Sequence, residues 1–259
     1  MTKLTPYILG ASLCFAGAAS AQVLVEQFLF EDGVGTNLTA ATNSVGTATF
    51  GGTTTVAENA SGDMVFGVDA TNGNYFNNGT LTEASGYSVG TLELQYTVTG
   101  YDMSNTADPS GASAGFGFRD ANNTDLFLFR LQHQNNSVRL QHRIGTTNTD
   151  LFDFGNEVDT FTTLALRAVA NLGTDKVDFY WSIDGAAESS SLGVTIGGTG
   201  LAAVTNLRTA ATLNSTDMAA GDFVSVESVS VFYTVPEPSS YALIAGLLGL
   251  TAVMIRRRA

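Results

Sequence analysis

The chain has 259 residues, and 44% of them are hydrophobic, including sixteen phenylalanines. This apolar content excludes a disordered chain and predicts a packed core. The formal net charge of −13 excludes a basic surface of the kind that binds nucleic acid, and it also opposes binding to anionic lipid.

Met1–Ala21 is typical of a signal peptide. Lys3 supplies the positive start, an apolar stretch follows, and Ala19-Ser20-Ala21 is a small-residue cleavage site. The mature chain is therefore predicted to begin at Gln22. Because the only cysteine, Cys14, lies inside this segment, the mature chain has no internal disulfide and depends on its core for stability.

Residues 22–234 are predicted to form one all-β domain, an antiparallel sandwich of the jelly-roll kind. Helical periodicity is absent here, and apolar and polar residues alternate with period two. Four segments carry the strongest strand pattern: Leu92–Val98, Leu164–Val169, Val177–Ile183 and Val224–Val231. Turn-forming residues separate the predicted strands at Asp32-Gly33, Asn72-Gly73, Asn78-Gly79, Asn135-Asn136, Asn171-Leu172-Gly173 and Asp184-Gly185.

Charge is unevenly distributed in this predicted domain. The chain has 24 acidic residues, and only Glu237 lies outside the domain. Of the 11 basic residues, Lys3 and the three tail arginines lie outside it. The domain therefore has 23 acids, 7 bases and a net charge of −16. Residues 22–118 contain ten acids and no lysine or arginine. A group of bases in the second half would therefore mark a local site.

Two parts of the domain resemble laminin-G-like and concanavalin-like jelly rolls. Val25–Thr36 is similar to their opening strand and turn. Leu164–Val169, the turn at Leu172-Gly173-Thr174 and Val177–Gly185 are similar to their late hairpin. The resemblance implies a fold that often binds carbohydrate and elsewhere serves as scaffold, so function must be argued from the site.

Two patterns typical of catalysis occur in the domain. Gly111-Ala112-Ser113-Ala114-Gly115 fits the G-x-S-x-G nucleophile motif, but Phe116-Gly117-Phe118 after it is typical of a strand, whereas the motif needs a helix. Glu157-Val158-Asp159 begins the alternate-residue carboxylate spacing of jelly-roll glucanases, but Phe161 takes the next position on that face. We therefore predict no catalytic residues and a protein that is not an enzyme.

Oxygen ligands suited to calcium cluster in one loop. Asp120, Asn122 and Asp125 are candidate calcium ligands, although the loop lacks a bidentate acid at the expected end, and we interpret it as a solvated turn. His133 and His142 are the only histidines, too few for a zinc site. No metal or other cofactor is predicted, with calcium as the alternative.

A hairpin is predicted where residues 126–133 and 137–143 flank Asn135-Asn136. A two-residue turn fixes two cross-strand pairs, Leu131 with Leu140 and Arg130 with Gln141. One face of the hairpin is then mostly apolar: Phe129, Leu131, His133, Val138, Leu140 and His142. The other face, called here the polar hairpin face, carries Arg130, Gln132, Arg139, Gln141 and Arg143.

The polar hairpin face is the candidate ligand site. Its arginines suit the carboxylates or sulfates of an acidic glycan, and its glutamines suit sugar hydroxyls. The alternative, which we prefer on sequence alone, is a solvated sheet face whose arginines offset neighbouring acids.

The last 25 residues contain three distinct elements. Pro236 and Pro238 around Glu237 remove backbone donors and disfavour helix, which predicts an extended, accessible peptide. Tyr241–Ile255 is predicted to be a transmembrane helix, although its fifteen residues fall short of the roughly 20 of a full span. Arg256-Arg257-Arg258 is predicted to stay on the cytoplasmic side and to stop transfer.

These elements, in this order, resemble the bacterial PEP-CTERM sorting signal, which membrane peptidases of the exosortase type recognise. Pro236, Glu237 and Pro238 match the motif, and the resemblance covers Val235–Ala259, about a tenth of the chain. It implies export, transient anchoring in the inner membrane through the helix, recognition by an exosortase-type peptidase, and display on the outer surface or in the extracellular matrix.

The sequence thus predicts an exported surface or matrix protein whose β-sandwich serves adhesion or glycan binding. Its predicted partners are an exosortase-type peptidase, the membrane before processing, and extracellular polysaccharide, but not nucleic acid. Two alternatives remain open. One is an extracellular polysaccharide-active enzyme, which two carboxylates about 5 to 9 Å apart in a groove would favour. The other is an unprocessed, membrane-anchored structural protein.

Overall fold

A computed structural model describes residues 22–51, 56–67, 73–81, 89–105, 112–197, 200–213 and 221–234. The predicted signal peptide, the Pro-Glu-Pro motif, the predicted transmembrane helix and the three tail arginines lie outside these ranges. Gln22–Val235 forms a compact unit. Across the described ranges, no helical segment combines the length and apolarity that a bilayer crossing requires.

The described residues form fifteen β-strands and two 3₁₀ turns. The first seven strands are β1 (Gln22–Phe28), β2 (Phe50–Gly51), β3 (Ala57–Glu58), β4 (Met64–Phe66), β5 (Gly73–Thr80), β6 (Thr91–Asp102) and β7 (Ser113–Asp120). The others are β8 (Asp125–His133), β9 (Val138–Ile144), β10 (Thr147–Asp153), β11 (Leu164–Asn171), β12 (Lys176–Ile183), β13 (Ser189–Thr195), β14 (Val204–Leu213) and β15 (Phe223–Thr234). The 3₁₀ turns are Leu38–Ala40 and Leu201–Ala203.

Two antiparallel sheets contain these strands. Sheet A has the order β13-β12-β11-β6-β15-β4-β3, with β1 also pairing with β15. Sheet B has the order β10-β9-β8-β7-β14-β5-β2. Neighbours such as β6 and β15 are distant in sequence, so each sheet is assembled by long connections, which is typical of a jelly roll. The predicted all-β antiparallel architecture is confirmed.

The core lies between the sheets and explains the period-two pattern. Along β6 every second side chain, including Leu94 and Tyr96, is buried, while those between are half-buried. The Tyr96 ring packs on Phe116 of sheet B at 4.9 Å between centroids, and its hydroxyl donates to the Phe129 carbonyl at 2.5 Å. Burial raises the pKa of this tyrosine. One aromatic side chain thus joins the two layers through apolar contact and a satisfied hydroxyl.

The turn between β8 and β9 is the two-residue turn that Asn135-Asn136 predicts. Both asparagines have a left-handed backbone, with φ of 55° and 53°. The Gln134 N–H donates to the Ser137 carbonyl at 2.8 Å and closes the hairpin. This is the geometry of a type I′ turn, which asparagine tolerates. The predicted pairs follow, Leu131 with Leu140 and Arg130 with Gln141.

One predicted turn is wrong. Asn78-Gly79 lies inside β5. The cause is pairing over distance, because β5 is hydrogen-bonded along its whole length to β14 and, at Asn78 and Gly79, also to β2. Ladder hydrogen bonds on both sides outweigh the local turn preference of an Asn-Gly pair. At the predicted turn Asn72-Gly73 the strand begins at Gly73, and Asn72 lies outside the described residues.

Candidate functional site

The hairpin presents the two faces that its register predicts. The mostly apolar face is buried in the core: Phe129, Leu131, His133, Val138, Leu140 and His142. The polar hairpin face lies on the outer side of sheet B but is far from fully solvated. Arg130 is 4% exposed and Gln141 1% exposed, while Gln132, Arg139 and Arg143 are half-buried.

The neighbouring edge strand β10 turns the polar hairpin face into a groove. Asn148 pairs with Arg143, and Asp150 pairs with Gln141, so their side chains stand on the same side of the sheet. A cavity of about 450 Å³ lies here, called the hairpin groove. Its lining is polar throughout: Gln132, Gln134, Gln141, Asn148, Thr149 and Asp150.

Arg130 lies beneath this groove among neutral acceptors. Its Nη1 donates to the Ser113 hydroxyl at 3.1 Å, and its Nη2 donates to the Asn148 side-chain oxygen at 3.1 Å. The side-chain oxygens of Gln132 and Gln141 also accept from Nη2. None of these four partners is charged, so dipoles alone compensate the guanidinium. Burial and the nearby charge of Arg143 lower the pKa of Arg130 to about 10.

Arg139 has a different environment. Its Nη1 lies 2.5 Å from Asp150 Oδ2, and its Nε lies 3.4 Å from Asp153 Oδ2. The Gln141 amide donates to the other oxygen of Asp150 at 2.5 Å. Arg139 therefore offsets neighbouring acids, as the preferred interpretation of this face predicts.

Arg143 forms no ion pair with any residue that the structure describes. Its Nε donates to the Gly145 carbonyl at 2.9 Å. Its charge acts unfavourably on Arg130, which pairs with Gln141, two residues before Arg143 on β9 and on the same face. Of the three arginines on the polar hairpin face, one is thus neutralised by carboxylates and two are not.

Two glycines of β7 allow β8 to approach closely, and one of them, Gly115, lies beside Arg130. Gly115 pairs with Arg130 across the sheet. A Cβ atom at Gly115 would lie 2.6 Å from the Cβ of Arg130, and one at Gly117 would lie 1.9 Å from the Phe127 carbonyl. No side chain fits at either position without a shift of β8.

The candidate calcium ligands are already bound by protein donors. Asp120 is buried, and its Oδ1 accepts from the backbone N–H groups of Asn122 and Thr124 at 2.9 and 2.8 Å. Asp125 accepts from Arg119 Nε at 2.5 Å and also contacts Arg208. The two acids therefore hold a turn and an arginine pair, and Asn122 contributes its backbone to that turn.

Arg208 is a second buried arginine of sheet B, 2% exposed. It lies on β14, pairs with Gly117 of β7 and forms an ion pair with Asp125. Burial and the charge of Arg119 lower the pKa of Arg208 to about 9. Arg119 and Arg208 thus share the carboxylate of Asp125.

The residues of the two catalytic patterns have structural contacts. Ser113 opens β7 and accepts from Arg130, and a strand follows it. Glu157 Oε1 lies 2.7 Å from His133 Nε2, and Asp159 accepts from the Tyr101 N–H at 2.8 Å. Glu157 and Asp159 are in the connection between β10 and β11 and not in a strand.

The histidines are separate, and neither belongs to a metal cluster. His142 stacks on Phe179 at 4.7 Å between ring centroids, and burial lowers its pKa. Within the described ranges, no three residues among His, Cys, Asp and Glu are placed to hold one metal ion.

A second groove of about 410 Å³ lies on the outer side of sheet A. Arg167 forms its wall, held by Glu188 through two hydrogen bonds of 3.1 and 2.7 Å and stacked over the Tyr180 ring at 3.9 Å. Gln95 also lines this groove. Its arginine is fully paired, in contrast to Arg130.

No protein-family model matches this sequence, and no curated protein matches it either. Solved structures do match. A Lotus tetragonolobus seed lectin has a TM-score of 0.54 and 11% identity, covering 83% of this chain and 100% of the lectin. The fold is a jelly roll of the kind found in lectins.

Two other structures share this fold. The CBM2 module of the evolved Dit of Lactobacillus casei BL23 phage J-1 has a TM-score of 0.53 and 13% identity, covering 85% of this chain and 99% of that one. An endo-1,3-β-glucanase from Streptomyces sioyaensis has a TM-score of 0.51 and 16% identity, covering 85% of this chain and 99% of the enzyme. At these identities the likeness establishes the fold alone.

Sequence reasoning missed the residues that β10 adds to the groove. Asn148, Thr149 and Asp150 belong to an edge strand that is exposed on most of its length. It has no apolar alternation, so the period-two test does not find it. The available signal was Gly145, which has a φ of 58° and marks a second tight turn directly after β9.

Proposed function

We propose that this β-sandwich binds polysaccharide in the hairpin groove, as the non-catalytic domain of an exported surface or matrix protein. The observation that carries the proposal is the polar lining of the groove on an outer sheet face. The likeness of the fold to a lectin and a glucanase supports a carbohydrate ligand.

The chemistry of the groove suits sugar hydroxyls. The amides of Gln132, Gln134 and Asn148 each offer both donors and an acceptor, and a hydroxyl group needs both. Asp150 adds a carboxylate whose position is fixed by Arg139 and Gln141. The groove floor is buried and its β10 wall is exposed, so a chain has access from one side.

A binding role is preferred to a catalytic one because of the acids near the groove. Glycoside hydrolysis uses two carboxyl groups that flank the scissile bond. Among the described residues, Asp150 is the single carboxylate in the lining of the groove, and it is paired with Arg139.

The test is a glycan array with neutral and acidic polysaccharides, using the full-length protein and three variants. We expect binding that Gln132→Ala and Asn148→Ala weaken about tenfold each, since each removes hydrogen bonds to the ligand. The control is Gln95→Ala, which removes an amide from the groove on sheet A. Loss of binding in the control alone would place the site on the other sheet, and absence of binding to any glycan would reject the proposal.

We propose further that the tail is a PEP-CTERM sorting signal. Its support is the sequence of Val235–Ala259, which has the motif, the hydrophobic span and the arginines in the expected order. An exosortase-type peptidase would recognise Pro236-Glu237-Pro238 and remove the helix. The protein would then reside on the outer surface or in the extracellular matrix.

Intact mass and C-terminal peptide mapping of the protein from its native host test this sorting. We expect the tail to be lost from the natural protein and retained when Pro236, Glu237 and Pro238 are all replaced by alanine. A tail retained in both forms would leave an anchored structural protein and reject the sorting proposal.

A further inference from the structure

We propose that the hairpin groove selects an anionic polysaccharide, whose carboxylate or sulfate group binds between Arg130 and Arg143. This inference rests on the proposed glycan binding and names the ligand class. Its basis is an arginine that is buried under the groove with no anion beside it.

The guanidinium of Arg130 lacks both a counter-ion and one hydrogen bond. It is 4% exposed, and no carboxylate among the described residues lies within 4 Å of it. Its Nε is buried without a hydrogen-bond partner in the described structure. A cation taken out of water without an anion is unfavourable, so a ligand that supplies the anion gains free energy here.

One edge of this guanidinium, which includes the unpartnered Nε, has the donor geometry that anions use. Nε and Nη2 lie along one edge, which carboxylate and sulfate groups accept with two parallel hydrogen bonds. Nη2 has two hydrogens, yet the oxygens of Gln132, Gln141 and Asn148 all approach it. One neutral acceptor can therefore leave Nη2 for the ligand while the others remain.

Arg143 is a second cation on the same face, two residues along β9 from Gln141, the partner of Arg130. It faces Asn148 across the ladder, and it forms no ion pair with a described residue. Burial lowers the pKa of Arg130, and the charge of Arg143 lowers it further, so the two charges disfavour each other. An anion placed between two such cations removes their repulsion and gains attraction from both.

The overall charge of the domain opposes the binding of this ligand. The predicted domain carries a net charge of −16, so a polyanion is repelled by the molecule as a whole. Binding of a polyanion would therefore indicate a local site and not the general field of the protein.

The experiment compares three polymers with one backbone: dextran, carboxymethyl dextran and dextran sulfate. Each is immobilised on a biosensor, and full-length protein is passed over it at low and at high salt. We expect binding to one or both charged polymers above that to dextran, and weaker binding at high salt. The charged polymer that binds better identifies the group, carboxylate or sulfate.

Asn148→Asp is the decisive variant. It places a carboxylate beside Nη2, where the Asn148 oxygen already lies at 3.1 Å, so it should occupy the anion site from within. We expect at least tenfold weaker binding to the charged polymers, with Tm unchanged or raised. Arg143→Gln should weaken binding severalfold. Gln95→Glu adds the same charge to the outer side of sheet A and is the matched control.

Each remaining outcome rejects a stated claim. Equal losses in Asn148→Asp and Gln95→Glu would attribute binding to net charge and overturn the inference. Binding to neutral glycans alone, or polyanion binding that Asn148→Asp leaves intact, would overturn it while the proposed function stands. Absence of binding to every neutral and charged polymer would reject the proposed function with it.

Discussion

Asp125 holds two arginine side chains at one end of sheet B. It accepts from Arg119 Nε and forms an ion pair with Arg208, which is 2% exposed. Asp125→Asn keeps the shape of the side chain but leaves a buried guanidinium without this carboxylate. We expect the free energy of unfolding to fall by roughly 3 kcal/mol, because unpairing a buried ion costs far more than losing a surface pair. Urea denaturation measures it.

Asp150→Asn is the matched control for this prediction. Asp150 also pairs with an arginine, Arg139, but its side chain is 41% exposed. Exposed pairs contribute about 1 kcal/mol or less, so this variant should be close to the natural protein in stability. Equal losses in the two variants would contradict the role assigned to burial.

For single residues, the candidate face was predictable from the sequence, but the pairing and burial of its arginines were not. Alternation from a known turn assigns Arg130, Arg139 and Arg143 to one face. Whether one of these arginines forms an ion pair depends on β10. Its Asp150 contacts Arg139 because β10 pairs with β9. Burial of Arg130 likewise depends on Gly115 across the sheet, a contact that local pattern does not contain.

At the scale of elements, the β8–β9 turn sets the register of the groove. Asn136 has a φ of 53°, a conformation that glycine adopts freely and alanine only with strain. We expect Asn136→Gly to keep or raise Tm and Asn136→Ala to cost about 1 kcal/mol. Thermal unfolding of the two variants measures the difference.

Glycan binding provides the second readout for this pair of variants. Asn136→Gly should bind as the natural protein does, because the pair of Arg130 with Gln141 is unchanged. A stable Asn136→Gly protein with lost binding would contradict the view that the turn acts only through register.

Elements with strict alternation and clear turns were predictable, and the others were not. The segments within β6, β11, β12 and β15 lie where the sequence predicts them. The Asn-Gly pair inside β5 misleads because the turn preference is local whereas pairing with β14 is not. The exposed edge strand β10 buries too little to leave a pattern.

At the scale of the whole molecule, charge is separated between the sheets. Five of the seven bases of the domain are on strands of sheet B: Arg119, Arg130, Arg139, Arg143 and Arg208. The excess of acids should make the fold less stable at low ionic strength through self-repulsion. We expect Tm to rise by a few degrees when sodium chloride increases from about 0.01 to about 0.3 M.

Divalent salts separate this screening from calcium binding. Calcium and magnesium chloride at equal ionic strength should give the same Tm, because Asp120 and Asp125 already accept from protein donors. A Tm that is higher in calcium alone would contradict this and indicate a calcium site.

The fold class was predictable from the sequence because it depends on many weak, consistent signals, such as alternation, turns and the absence of helical period. The groove was only half predictable because it joins one hairpin to a strand without a pattern of its own.

The pairing of β1 with β15 places Gln22 opposite Thr234, so the two ends of the domain meet. β15 is also bonded along most of its length to β6. In antiparallel pairs the hydrogen bonds run across the strands. A force on Thr234 along its strand therefore loads these hydrogen bonds together in shear and does not break them one at a time. Shear loading is the arrangement in which a domain under tension resists unfolding most.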